Sequence, residues 1–222
     1  MENRNSDTVP WELKDVVSFA IILSIYLFFM KLLSKVIDTK FPTFGLQIYI
    51  LCFADITSLL ICFLLLKKTI LNNYRQGWNI LIEKKYSIKS YLTIAIIIGL
   101  LLGSFNLFSY YLLTPNHLRQ PLPTNLFFIA LIYGIIIAPI TEEVWFRSFF
   151  YRGLKKKCGT VIAVIISILF FLLYHIFNFS LFHLLIFSIT ITLFYEKTKA
   201  LYNCILIHSL SNCVFFISRQ FL

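Results

Sequence analysis

The stretch LFFIALIYGIIIAPITEEVWFR, residues 126–147, begins with sixteen uncharged residues and then places two carboxylates, Glu142 and Glu143, side by side. Its length and composition predict a helix that crosses a lipid bilayer, because about 20 apolar residues span a hydrocarbon core of roughly 30 Å. An ionisable side chain inside such a helix is costly unless it is paired or hydrated, so it marks a candidate functional site. The two glutamates are therefore either a structural pair or part of a reaction.

The composition of the whole chain predicts an integral membrane protein. Of the 222 residues, 59% are hydrophobic and 14% are charged, whereas a soluble domain has about 25% charged residues. The net charge of +10 does not indicate nucleic-acid binding, because the basic residues lie in short loops between apolar runs. In membrane proteins such residues set orientation and contact anionic lipid.

Seven apolar segments predict an all-α, polytopic bundle of about seven transmembrane helices: 16–37, 44–66, 91–113, 125–151, 161–177, 179–195 and 201–218. The fifth and sixth segments are short, so they are either a tight hairpin or a re-entrant pair. We divide the chain into a polar N-terminal tail (1–15), an N-terminal transmembrane region (16–124) and a C-terminal region (125–222) that carries the candidate site. The N-terminal transmembrane region has three helices and a basic loop, 67–90.

The distribution of Lys and Arg predicts the orientation in the cell membrane. Fourteen of these residues fall on the side that receives the N-terminus and the loops 67–90, 152–160 and 196–200, and five fall on the other side. Because basic loops stay in the cytoplasm, we expect a multi-pass protein with a cytoplasmic N-terminus.

Helical spacing sorts the polar residues of the spans. Glu143 and Arg147 are four residues apart and can pair on one helix face, either as an internal salt bridge or with a direct role in catalysis. Glu142 points about 100° away and has no cationic partner on its own helix, which makes it a candidate general base. His208 and Asn212 are also four apart, and both can donate hydrogen bonds to a developing oxyanion.

Depth along the helices supports one common site. At about 1.5 Å per residue, Glu142 lies roughly 15 Å from the predicted cytoplasmic end of its span, while His208, Asn212 and His175 lie at roughly 11, 17 and 21 Å. These polar groups share a layer toward the cytoplasmic half. Asp55 and His183, taken alone, are better explained as buried residues with a polar or packing partner on a neighbouring helix.

Three motifs occur in order on successive apolar segments: EExxxR at Glu142–Arg147, FxxxH at Phe171–His175 and HxxxN at His208–Asn212. Together they resemble the CPBP family, which comprises the type II CAAX-processing endopeptidases and their bacterial relatives, often labelled Abi or bacteriocin-processing enzymes. The resemblance covers about 125–216. FxxxH recurs at Phe179–His183, and we prefer His175 because it ends a span.

The resemblance implies a helical membrane bundle with an intramembrane polar cavity and a catalytic core at 125–222. It also implies that Glu142 and His175 activate a water for attack on a peptide bond, that His208 and Asn212 stabilise the oxyanion, and that Glu143 and Arg147 support the first pair. We expect no metal requirement, since HExxH is absent. A zinc site formed by Glu142, His175 and His208 is the alternative.

The expected partners are a peptide or membrane-protein substrate and the lipid bilayer, without nucleic acid. The substrate and the oligomeric state are open. The expected role is maturation of a bacteriocin-like or pheromone-like peptide, self-immunity or processing of membrane proteins. Two alternatives belong to other classes: a non-catalytic immunity or regulatory protein that binds a peptide or a sensor kinase, and a small transporter whose polar residues line a pathway.

Overall fold

The computed structural model describes residues 9, 11–40, 49–50, 52–58, 60, 88–115, 121–175 and 181–222. All regular structure within these residues is helical. The helices are α1 (Leu13–Lys40), α2 (Ile88–Leu113), α3 (Thr124–Ile132), α4 (Ala138–Glu143), α5 (Arg152–Tyr174), α6 (Leu181–Thr198) and α7 (Leu201–Phe221). Two π-helices, Tyr133–Ile137 and Val144–Tyr151, join α3 to α4 and α4 to α5. Residues 49–50, 52–58 and 60 are also helical.

Five helical stretches of the described residues are long and apolar enough to cross a membrane: Leu13–Met30, Tyr91–Leu113, Leu126–Tyr174, Leu181–Thr198 and Leu201–Phe221. The prediction of an all-α, multi-pass membrane protein is confirmed. The segment 44–66 lies largely outside the described residues, and most of the loop 67–90 does too. The count of seven spans therefore stays a prediction.

Gly159 divides the longest of these stretches into two arms. Its φ of 78° lies in the left-handed region, which glycine adopts without steric cost because it has no Cβ. The chain reverses there, and the part of α5 after Gly159 folds back against the second π-helix. The rings of Phe150 and Phe170 stack with centroids 4.5 Å apart, and Phe146 contacts Phe171 at 5.0 Å. The reversal agrees with the separate spans, 125–151 and 161–177, that the sequence predicted on either side of residue 159.

Helix α2 lies directly behind α7, the helix that carries the HxxxN motif. Gly99 and Gly103 are four residues apart on the contact face, and a Cβ at these positions would lie 2.8 Å from Leu210 Cβ and 2.7 Å from Val214 Cβ. Small residues at this spacing let two membrane helices approach closely. The close approach fixes the position of α7 in the bundle.

The start of the chain packs against the second π-helix. Val9 and Trp11 are buried, although the sequence analysis placed both in a polar tail. The indole Nε1–H of Trp11 donates to the Phe149 carbonyl at 3.2 Å. The ammonium of Lys156 donates to the Val9 carbonyl at 2.9 Å. These contacts bring the N-terminal residues to the same end of the bundle as 152–157.

A second contact brings the segment 196–199 to this end. The ammonium of Lys155 pairs with Glu196 at 2.7 Å, and Lys199 pairs with the same carboxylate. Three of the four basic segments that the charge count assigned to one side therefore lie at one end of the structure. The fourth, 67–90, lies mostly outside the described residues.

We expect Gly153→Ala to destabilise the bundle by loosening the N-terminal packing. A Cβ at residue 153 would lie 2.2 Å from Val16 Cγ2 and 3.1 Å from the Trp11 ring. Overpacking of this kind costs about 1–3 kcal/mol. Thermal unfolding in detergent measures the loss, and the double variant Gly153→Ala/Val16→Ala should recover part of it. A Gly153→Ala protein with parental stability would contradict the packing of Trp11 and Val16 on Gly153.

Candidate active site

Glu143 forms the most deeply buried part of the candidate site. One of its oxygens, Oε1, accepts from Arg147 Nη1 at 3.2 Å and from His208 Nδ1 at 2.8 Å. The pairing with Arg147 that the spacing predicted is present, and both side chains are at most 1% exposed. The Arg147 guanidinium also lies 4.9 Å from the centre of the Phe171 ring. Glu143 therefore connects its own helix to α7.

The contact with Glu143 fixes the tautomer of His208. A carboxylate oxygen accepts hydrogen bonds, so Nδ1 of His208 carries the proton and donates it. The other ring nitrogen, Nε2, then faces Glu142 Oε2 at 4.0 Å. The resemblance assigned Glu143 to support Glu142 and His175, whereas the hydrogen bond that it makes outside its own helix is to His208.

Glu142 lies against two imidazole rings from two other helices. Its Oε2 is 3.6 Å from Nε2 of His175 and 4.0 Å from Nε2 of His208. The side chain is buried, and Oε2 has no hydrogen-bond partner among the described residues. Three of the four residues that the depth estimate placed in one layer, Glu142, His175 and His208, are thus brought together. The convergence places a carboxylate and two ring nitrogens around one point.

The orientation of His175 is set by its own helix. Its Nδ1 lies 3.0 Å from the Phe171 carbonyl, and because a carbonyl only accepts, Nδ1 carries the proton there. In the neutral ring, Nε2 then presents a lone pair toward the Glu142 carboxylate. Two acceptors face each other, and a water molecule can satisfy both by donating one hydrogen to each. The arrangement suits a water poised for deprotonation.

Asn212 is held by a carbonyl that the first π-helix leaves available. The Ala138 N–H bonds to the Tyr133 carbonyl five residues earlier, and the next residue, Pro139, has no N–H to offer the Gly134 carbonyl. Asn212 Nδ2 donates to that carbonyl at 2.7 Å. One amide hydrogen is used in this way, and the second is available for a ligand.

Asp55 is a third buried carboxylate, in addition to Glu142 and Glu143. Its Oδ2 accepts from the Tyr133 hydroxyl at 2.9 Å and its Oδ1 from the Tyr174 hydroxyl at 3.4 Å. The expected polar partner on a neighbouring helix is present, and there are two. Sequence reasoning missed both tyrosines, because a tyrosine in an apolar run has the same pattern as a packing residue.

His183, the other histidine with FxxxH spacing, lies behind an aromatic ring. It is buried, and its ring centroid is 6.0 Å from that of Phe187. Phe187 in turn contacts His208 at 4.8 Å. Of the two histidines, His175 is the one whose ring nitrogen lies beside Glu142.

The residues suggested for a zinc site do not form a preassembled one. Among the residues that the structure describes, no group of three or more His, Cys, Asp or Glu side chains is arranged to hold a metal ion. The Nε2 atoms of His175 and His208 lie 3.6 Å and 4.0 Å from Glu142 Oε2. The expectation that no metal is required stays a prediction.

Comparison with known proteins identifies one family model and a bacterial relative. Residues 124–214 match the family model described as Type II CAAX prenyl endopeptidase Rce1-like. The chain is also 32% identical over 80 residues to UPF0177 protein YbdJ of Lactococcus lactis subsp. lactis (strain IL1403), a match covering 36% of this chain and 34% of that protein. The chain thus spans about a third of that relative's length. No solved structure matches.

The matched region contains all three motifs and every candidate residue except Asp55. The region also contains Glu142, His175 and His208, whose side chains meet in the structure. The family points to an intramembrane protease of the CAAX type. Residues 124–214 are therefore similar to the type II CAAX prenyl endopeptidase Rce1-like family, in agreement with the CPBP family that the motifs indicated.

Proposed function

We propose that this chain is an intramembrane endopeptidase that hydrolyses a peptide bond with a water activated by Glu142 and His175. One observation carries the proposal: Glu142 Oε2 faces Nε2 of His175, the C-cap residue of α5, at 3.6 Å and has no hydrogen-bond partner among the described residues. General-base activation of water needs a carboxylate oxygen and a ring nitrogen that face each other and can both accept a hydrogen bond from one water molecule.

The reaction proceeds in two steps. Glu142 takes a proton from the water while His175 Nε2 accepts the other hydrogen bond, and the water oxygen forms a bond to the scissile carbonyl carbon. When the tetrahedral intermediate collapses, the carbon–nitrogen bond breaks and the proton on Glu142 passes to the leaving amine. The second hydrogen of the water stays on the attacking oxygen, so the products are a peptide with a new carboxyl group and a free amine, and Glu142 is regenerated.

The oxyanion of the intermediate is stabilised from α7. The second amide hydrogen of Asn212 donates to it, and His208 donates from Nε2 when the ring is protonated on both nitrogens, because Nδ1–H is given to Glu143. Removal of one such donor typically lowers kcat by about 10²–10³-fold. Glu143 and Arg147 hold His208 in place and do not touch the substrate.

The cytoplasmic end is the one that gathers Trp11, Lys155, Lys156 and Lys199. This assignment is supported by the excess of basic residues there, since such residues are retained in the cytoplasm. The substrate is a peptide precursor or a membrane-inserted protein segment that reaches the site from this side. Maturation of a small secreted peptide and self-immunity are the biological roles that fit a small membrane protease.

The pair His175 and His183 tests this function with a matched control. We expect His175→Gln to lower kcat by about 10²-fold or more, in line with the loss of an acid–base group. His183→Gln should stay within a few-fold of the parent protein, because Phe187 lies between that ring and His208. The assay uses purified protein in lipid nanodiscs and a panel of fluorogenic peptides.

Three outcomes would contradict the proposal. Equal loss in both variants would mean that the two histidines act only on packing. Loss of parental activity on addition of a chelator, restored by zinc, would mean that a metal takes part. If no peptide is cleaved while the Glu142→Gln protein still protects cells against a bacteriocin, the non-catalytic regulatory function replaces this one.

A further inference from the structure

The carboxylate of Asp55 is a buried group that the proposed reaction does not use. It belongs to the helical residues 52–58, outside the matched region 124–214. Asp55 is 2% exposed. Burying an ionisable group costs free energy unless it is hydrogen-bonded, so its partners are informative.

Both partners lie next to residues of the proposed reaction. Tyr174 directly precedes His175, and the two rings meet edge to face with centroids 4.7 Å apart. The hydroxyl of Tyr174 donates to Asp55 Oδ1 at 3.4 Å. The orientation of the Tyr174 ring therefore constrains the His175 ring, whose other side packs on Phe171 at 4.4 Å.

The second partner, Tyr133, is the first residue of the π-helix that holds Asn212. Its hydroxyl donates to Asp55 Oδ2 at 2.9 Å, and its own carbonyl accepts the Ala138 N–H that sets the π turn. The next carbonyl, of Gly134, accepts from Asn212. Asp55 thus anchors one tyrosine on the water-activating side and one on the oxyanion side.

We propose that Asp55 is a positioning residue for the proposed hydrolysis, acting on His175 through Tyr174 and on Asn212 through Tyr133. The inference rests on the proposed function. It extends the working site beyond residues 124–214 into the N-terminal transmembrane region, where no motif marks it. One carboxylate with two oxygens can hold two hydroxyls in fixed directions, which an apolar residue cannot do.

Steady-state kinetics tests the inference. Asp55→Asn should lower kcat about tenfold with KM nearly unchanged, which matches the loss of a hydrogen bond to a charged group. Tyr174→Phe should do the same. Because both act through one contact, the double variant Asp55→Asn/Tyr174→Phe should be no slower than Asp55→Asn alone.

The matched control is Thr57→Val on the same helical segment. Thr57 shares a hydrogen bond with the Tyr26 hydroxyl of α1, so its loss removes an inter-helix contact that does not involve Asp55. Thr57→Val should keep the parental kcat. Multiplicative losses in the Asp55→Asn/Tyr174→Phe protein, or a parental kcat in a folded Asp55→Asn protein, would overturn the positioning role. If Asp55→Asn fails to fold, the kcat of Tyr174→Phe tests the positioning role by itself: a tenfold loss supports it and a parental value overturns it.

A readout without turnover separates this inference from the proposed function. Diethyl pyrocarbonate modifies accessible imidazole nitrogens, and mass spectrometry measures the rate at His175. Asp55→Asn and Tyr174→Phe should raise that rate several-fold while Thr57→Val leaves it unchanged. An unchanged rate in both site variants would overturn the inference even if hydrolysis is observed, and a raised rate would support it in a protein that cleaves none of the peptides.

Discussion

Glu142→Gln is expected to fold like the parent protein and to lose about 10²–10⁴-fold in kcat, the range that a positioned general base contributes. The amide has the size and shape of the carboxylate, so the packing around the buried side chain is kept. It cannot take a proton from water, so the first step of the reaction is blocked. KM should change little, because Glu142 contacts the water and not the body of the substrate.

Single-turnover cleavage in nanodiscs, together with thermal unfolding of each variant, measures this effect. Glu12→Gln is the matched control, since it removes a carboxylate that is exposed and paired with Lys14. It should leave kcat and stability unchanged. A folded Glu142→Gln protein with activity within a few-fold of the parent would refute the assignment of Glu142 as the base.

Loss of one partner of the Glu143–Arg147 pair is expected to have the largest effect on stability. Arg147→Met leaves Glu143, which is fully buried, without its ionic partner, and removing one member of a buried pair costs about 3–5 kcal/mol. Glu143→Gln should cost less in hydrogen bonds but leaves the Arg147 charge alone. Thermal or SDS unfolding of the purified proteins measures both losses.

The double variant Glu143→Gln/Arg147→Met is the control for this prediction. No unpaired charge remains in it, and the amide oxygen at 143 can still accept from His208. It should therefore be more stable than Arg147→Met alone, giving a coupling energy of about 0.5–3 kcal/mol, the range for residues in contact. Strictly additive losses would show that the two side chains do not act as a pair.

The sequence was sufficient for those features that depend on one helix at a time. Long apolar runs fix the described spans, because backbone polar groups inside a bilayer must be satisfied within the helix. The spacing of Glu143 and Arg147 fixes their pairing in the same way. Depth along the helix axis also anticipated that Glu142, His175 and His208 would meet, since helices of similar length start from the same membrane surface.

The sequence could not predict features that depend on contacts between helices. Periodicity places Asn212 on a face of α7 but cannot show that the Gly134 carbonyl is free, because that depends on the π turn before Pro139. For the same reason it could not show that Glu143 reaches His208. The partners of Asp55 are tyrosines in apolar runs, and no spacing relates them to residue 55.

The packing of Trp11 and Phe19 has a consequence for how relatives of this protein can be recombined. Trp11 and Phe19 fill the outer face of the π-helix that contains Arg147, with Phe19 4.8 Å from Phe149 and 6.5 Å from Trp145. A chimaera that joins the motif-bearing half to the N-terminal helices of another protein would leave the rings of Trp145 and Phe149 facing lipid or a side chain that does not fit them. The two halves of the chain must therefore diverge in concert, with Gly153 and the residues that cover it inherited together.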